Sequence, residues 1–113
     1  MLFICNSRVL TNILLSGFLD IFPTLKIVSV ESGIGWLPFV LEAVEYEMNE
    51  TGMTYKSTPL EIFQRQIYGC TWFERRHIVT MSRMLGVDNI MFETDFPHPT
   101  CLYPQVLGFV ADA

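Results

Sequence analysis

Asp95 stands at the end of an apolar run, Asn89-Ile90-Met91-Phe92-Glu93-Thr94-Asp95, and is followed at once by Phe96-Pro97-His98-Pro99. A carboxylate at the tip of a strand, with an imidazole three residues later in a loop held by two prolines, can bind a divalent cation or move a proton. A bound cation lowers the pKa of its water, and a neighbouring base must then accept or relay the proton. The competing reading is that Asp95 caps the turn before Pro97, its oxygens satisfied by backbone amides. Glu31 closes a second β-branched run and is followed by Ser32-Gly33-Ile34-Gly35. It can serve as an acid or base, or accept hydrogen bonds from the loop over residues 33–36. His98 can reach the mouth of a site, orient a ligand, or simply be solvated. Glu93 shares a strand face with Asp95 but lies deeper, where an unpaired charge is costly, so it is expected to have a partner or a raised pKa.

The elements that must position these residues alternate in period. Apolar residues at 10, 13, 14, 18, 21 and 22 form a helical stripe over Val9–Phe22, ended by Pro23. Leu25–Glu31 has strand composition and stops at the Gly33 and Gly35 turn. Trp36–Glu50 returns to a helical period, with Leu37, Val40, Leu41, Val44 and Met48 on one face, Glu42, Glu45, Glu47 and Glu50 largely outside it, and Pro38 in the first turn. Thr58 is placed to cap a short helix begun by Pro59. Gln66–Phe73 reads as a strand and Glu74–Leu85 as a helix with Ile78, Met81 and Leu85 inward and Gly86 as its stop. Asn89–Thr94 is the third strand, and Pro104–Ala113 begins a last helix.

Strands separated by connections long enough for crossover helices make a parallel α/β protein. Alternation along the first strand sets Val28 and Val30 against Ile27, Ser29 and Glu31; along the third it sets Ile90, Phe92 and Thr94 against Met91, Glu93 and Asp95. Each strand is thus expected to turn an apolar side to helices and a carboxylate-bearing side to a barrel interior.

Composition limits what such a site can serve. The chain has 113 residues, half of them apolar, enough for one domain with a core. Twelve Asp and Glu against seven Lys and Arg, with no basic cluster beyond Arg75-Arg76, argue against nucleic acid. Cys5, Cys70 and Cys101 are odd in number and have no zinc-caging spacing, so they are expected to be reduced, mostly buried thiols of an intracellular, cytoplasmic protein. Apolar residues at the start lack the basic prelude of a secretory signal, and no run reaches the roughly 18 residues of a membrane span, so no membrane partner is expected. Trp36 and Trp72 can line a pocket or pack, and His77 is expected at the surface.

Four segments carry a resemblance: Asn12-Ile13-Leu14-Leu15-Ser16-Gly17, Phe22-Pro23-Thr24-Leu25-Lys26-Ile27-Val28, Glu31-Ser32-Gly33-Ile34-Gly35-Trp36-Leu37-Pro38, and Glu93-Thr94-Asp95-Phe96-Pro97-His98-Pro99. Together, in this order, they resemble the amidohydrolase-related metal-dependent hydrolases, the branch that includes the aminocarboxymuconate-semialdehyde and resorcylate decarboxylases. The resemblance implies that residues 1–113 are the C-terminal portion of a (β/α)8 barrel, about three β/α units matching strands six to eight. It implies an enzyme that hydrolyses or decarboxylates a small carbonyl or carboxylate substrate with a divalent metal, zinc being the expected ion. Asp95 matches the aspartate that touches the metal and handles a proton. Glu31 stands where decarboxylase relatives carry a histidine in a His-x-Gly pattern, so that role is altered or lost, and His98 is a further candidate.

The family's first strand supplies a His-x-His or Glu-x-His ligand pair and its fifth strand another histidine; neither is in this chain. The chain by itself is therefore expected to be inactive, to hold zinc weakly, and to associate, as a homo-oligomer or aggregate, through its open strand edges. The alternative is a short non-catalytic protein or inactive remnant acting through those edges.

Overall fold

A computed structural model describes residues 2–112. Three parallel strands, β1 (Ile27–Ser29), β2 (Ile67–Thr71) and β3 (Ile90–Phe92), lie in the order β1-β2-β3. Ile27 pairs with Ile67 and Ser29 with Gly69; Gly69 in turn faces Ile90 and Thr71 faces Phe92. The helices are α1 (Leu2–Leu15), α2 (Phe18–Ile21), α3 (Leu37–Glu50), α4 (Pro59–Gln66), α5 (Ile78–Leu85) and α6 (Val106–Asp112). This is the parallel α/β architecture the patterning implies. Met1 and the last residue of the expected terminal helix, Ala113, lie outside the described residues.

The core forms where helices cover one side of the sheet. Leu10 and Leu14 of α1, Leu37, Leu41, Val44 and Met48 of α3, Ile62 and Phe63 of α4, Ile67 of β2 and Leu85 of α5 are buried together, with Val40, Ile78 and Met81 packed against them. Ile34 and Leu37 approach β2 so closely that a Cβ on Gly69 would lie 2.8 Å from Leu37 and 3.0 Å from Ile34. Two buried amides fix how strands enter the sheet. The Gln66 side chain donates to the carbonyls of Phe22 (2.8 Å) and Leu25 (3.1 Å), anchoring the approach to β1. Asn89 donates to the carbonyls of Phe63, Gln64 and Ile67, anchoring β3 beside α4 and β2. Thr58 caps α4 in a full capping box with Glu61, as its position before Pro59 suggests.

Several expectations change. The first helix begins at Leu2 and ends at Leu15, because Gly17 adopts a left-handed conformation (φ 67°) and starts a separate turn at Phe18. The strands are shorter than their compositions imply, since pairing stops at Ser29, Thr71 and Phe92. Helix α5 begins at Ile78 instead of Glu74, leaving His77 as an exposed residue before its first turn. The thiols are not mostly buried: Cys70 is, Cys5 is exposed and Cys101 is half-exposed.

The faces of β1 are the reverse of the expected ones. Ile27 packs on the core, and Ser29 Oγ accepts a hydrogen bond from Asn6 of α1. Val28, Tyr68, Cys70 and Met91 therefore share the opposite, open face. In β3 the expectation holds, with Ile90 toward the helices and Met91 away. Parity misleads in β1 because Glu31 lies beyond the end of pairing and has a φ of 55°. The alternation of side-chain directions cannot be carried through a left-handed residue.

Candidate functional site

Parallel strands deliver their C-terminal ends to one edge of the sheet, and the loops that follow β1 and β3 meet there. Glu31 follows β1 and Asp95 follows β3, and both are non-glycine residues with positive φ, 55° and 59°. Such conformations cost roughly 1–2 kcal/mol and persist where surroundings enforce them. The β3 loop supplies its own enforcement. The amide of His98 donates to the Asp95 carbonyl (2.9 Å), that of Cys101 to His98 (3.0 Å), and that of Leu102 back to Thr94 (3.0 Å). The rings of Phe96 and Tyr103 close the loop edge to face at 5.4 Å.

Within that loop, Asp95 Oδ1 lies 2.7 Å from His98 Nδ1, and Oδ2 accepts the Thr100 hydroxyl at 2.6 Å. The Asp95 side chain is only 7% exposed whereas that of His98 is 58% exposed, so the imidazole covers the carboxylate. The Thr100 hydrogen bond, followed by that of His98, holds the Asp95 carboxyl below its usual range. The hydrogen bond and charge of Asp95 in turn raise His98. Because Nδ1 faces Asp95, Nε2 points away from that bond, free for a proton or a ligand.

Glu31, Asp95 and His98 each offer a ligand atom, and these atoms lie within 4.8 Å of one another. All three candidates are thus neighbours, although 64 residues separate Glu31 from Asp95 in the chain. Two carboxylates and an imidazole suit zinc or a similar divalent ion. Donors about 2.1 Å from one ion sit at most about 4.2 Å apart, so small side-chain adjustments suffice for these residues to fit a cation.

Glu93 has both expected features. Its Oε1 accepts the amide of Glu31 at 2.7 Å, and burial raises its pKa, with the charges of Glu31 and Asp95 acting in the same direction against the Glu31 hydrogen bond. On the same open face, burial and then Glu93 push the Cys70 thiol up to about 11.

A glutamate does accept hydrogen bonds from the loop over residues 33–36, but it is Glu74, not Glu31. Glu74 Oε1 accepts the amides of Ile34 (2.8 Å) and Gly35 (2.7 Å), and Oε2 the Thr71 hydroxyl (2.6 Å). This is also why the helix expected from Glu74 starts later. Gly33 has φ 68°, and a Cβ there would lie 2.8 Å from Glu74 Oε1. The glycine-bearing turn over residues 33–36 was the available sign that an acceptor would be needed; no feature of the sequence pointed to Thr100. Trp36 packs on the core and donates from Nε1 to the Ser32 carbonyl (3.0 Å), and Trp72 stacks edge to face on Phe73, so the structure places both in packing contacts. No helix among the described residues is long and apolar enough to cross a membrane.

Comparison with known proteins gives consistent results. A family model described as amidohydrolase matches residues 3–105. An amidohydrolase structure from Mycobacterium avium subsp. paratuberculosis K-10 is similar with a TM-score of 0.83 and 23% identity, over 94% of this chain and 27% of that one. The 5-carboxyvanillate decarboxylase LigW from Sphingomonas paucimobilis is similar with a TM-score of 0.69 and 28% identity, over 91% of this chain and 32% of that one. The chain thus spans about a quarter to a third of the length of these structures. Comparison with curated protein sequences gave no match.

Proposed function

Since this chain belongs to the amidohydrolase family, we propose that it is the C-terminal part of a (β/α)8 barrel, equivalent to strands six to eight, and carries part of a metal-dependent hydrolase or decarboxylase site. The observation that carries this reading is the meeting of Glu31, Asp95 and His98 within 4.8 Å at the C-terminal edge of a parallel sheet. That is the end at which β/α barrels place their chemistry.

Asp95 and Glu31 would hold the divalent ion, zinc being the expected one, with the His98 imidazole beside it. When bound, that ion supplies Lewis-acid polarisation of a substrate carbonyl or carboxylate oxygen. The chain's own residues handle protons. Asp95 stays ionised because Thr100 and His98 favour its charged form, and it holds the imidazole through Nδ1. His98 Nε2 is then the atom from which a proton can be delivered or to which it can return. The substrate is proposed to be a small carbonyl or carboxylate compound. Ligands from other strands of a barrel would complete the set, so the chain by itself is proposed to bind metal weakly and to lack activity.

Titrating the chain with Co2+ tests this through visible absorption. Weak one-to-one binding that disappears in Asp95→Asn supports it; binding indifferent to Asp95→Asn overturns it.

A second reading is favoured by one observation. Val28, Val30 and Met91 are exposed, and β1 and β3 each leave an outer edge free of strand pairing among the described residues. A short protein acting through these edges would self-associate. The DNA immediately upstream decides between them: an in-frame segment encoding a His-x-His strand favours the barrel portion, and a true start site with a stable short product favours this second role.

A further inference from the structure

Strand β2 separates β1 from β3, so no backbone ladder ties the tip that carries Glu31 to the tip that carries Asp95. With neighbouring strands about 4.8 Å apart, those tips are roughly 10 Å apart, a gap that only side chains can span. Glu93 spans it. It continues β3 by donating its own amide to the Thr71 carbonyl (3.0 Å), and its carboxylate crosses over Cys70 of β2 to accept the Glu31 amide at 2.7 Å. Glu31 needs such a restraint. Its φ of 55° is disfavoured for a residue with a Cβ, and β1 pairing has ended two residues earlier.

We infer that Glu93 is a positioning residue whose carboxylate, by holding the Glu31 amide, fixes the left-handed turn that brings the Glu31 side chain to Asp95 and His98. Glu93 itself touches the Glu31 backbone and is not one of the three clustered ligand groups. An extended Glu31 would instead follow strand alternation onto the side of Ile27 and Ser29, which face the helices. The left-handed residue thus converts a helix-side position into a site position, and Glu93 stabilises that conversion. The inference rests on reading Glu31, Asp95 and His98 as one site.

Three variants of the full chain test it. Glu93→Gln keeps an acceptor oxygen at the same reach, Glu93→Met keeps length without an acceptor, and Glu93→Asp keeps charge but is one methylene short. Exchange of the Glu31 amide, read by mass spectrometry with electron-transfer fragmentation, is expected to quicken about 10-fold or more in Met and Asp and to stay near the parent rate in Gln. Co2+ affinity is expected to fall about 10- to 100-fold in Met and Asp and to recover in Gln. Equal behaviour of Gln and Asp, or a Glu31 amide already unprotected in the parent, overturns the inference. If Met prevents folding, the comparison of Gln with Asp still decides. A parent chain that binds no Co2+ removes the metal reading, while the amide rates still judge the role of Glu93.

Discussion

Replacing Gly33 by alanine should loosen the site from the β1 side. The φ of 68° alone costs an alanine roughly 1–2 kcal/mol. In addition, the new Cβ would sit 2.8 Å from Oε1 and 3.0 Å from Cδ of Glu74, whose carboxylate must then withdraw. Withdrawal breaks its hydrogen bonds with Ile34, Gly35 and Thr71. Charge-assisted bonds of this kind contribute roughly 1.5–3 kcal/mol each, but Gly35 is exposed and water can replace part of the loss. Water and small shifts of Glu74 replace most of these bonds, so we expect an extra cost of about 1–3 kcal/mol, well below their full sum. Gly52→Ala is the control, because Gly52 has a φ of 67° with nothing within 4 Å of its added Cβ. Urea unfolding at one fixed protein concentration reads the difference: with an m-value near 1.5 kcal/mol/M, the Gly33→Ala midpoint should fall about 0.7–2 M below that of Gly52→Ala. Adding Glu74→Ala should make Gly33→Ala cost little more than Gly52→Ala. Equal midpoints for the two glycine variants would refute the reasoning, showing that Glu74 moves aside without loss.

Other outcomes follow from the same geometry. His98 should titrate above the ordinary imidazole value, and Asp95→Asn should return it toward that value; an NMR titration of the His98 ring that is unchanged by Asp95→Asn contradicts the pairing. The sign of its effect on stability is set by both partners. The raised His98 contributes fully below the usual imidazole value and is lost as pH rises through its own; the lowered Asp95 contributes fully above the usual carboxylate value and is lost as pH falls through its own. The pair is therefore most stabilising between about pH 4 and 6.5. Cys70, with its thiol near 11 and buried, should resist alkylation at pH 8 until the chain is unfolded, while exposed Cys5 reacts readily; similar labelling rates measured by mass spectrometry would be the contrary result.

The elements that rest on repeated patterns were legible in the sequence. Helix α3 displays its buried face at Leu37, Leu41, Val44 and Met48, and α4 announces itself by Thr58-Pro59 and Glu61. Asp95, Glu31 and His98 stand out because each occurs where a strand-like run gives way to a turn. What the sequence hid depends on contacts between distant residues. The inverted faces of β1 follow from the left-handed φ of Glu31, which alternation does not encode. The carboxylate serving the Gly33 and Gly35 loop comes from 39 to 40 residues away, and the one holding Glu31 from 62 away. Short-range propensity in Glu74–His77 favours a helix, but Glu74 is drawn toward the β1 loop and Arg75 lies 4.4 Å over the Phe109 ring, so tertiary contacts prevail there.

The most direct test of the central claim is anomalous diffraction at the zinc absorption edge from crystals of the chain grown with zinc. The expected result is one peak bounded by Glu31, Asp95 and His98, lost in crystals of Asp95→Asn. No peak at these residues, or a peak elsewhere, with Asp95 still bonded only to His98 and Thr100, would contradict it.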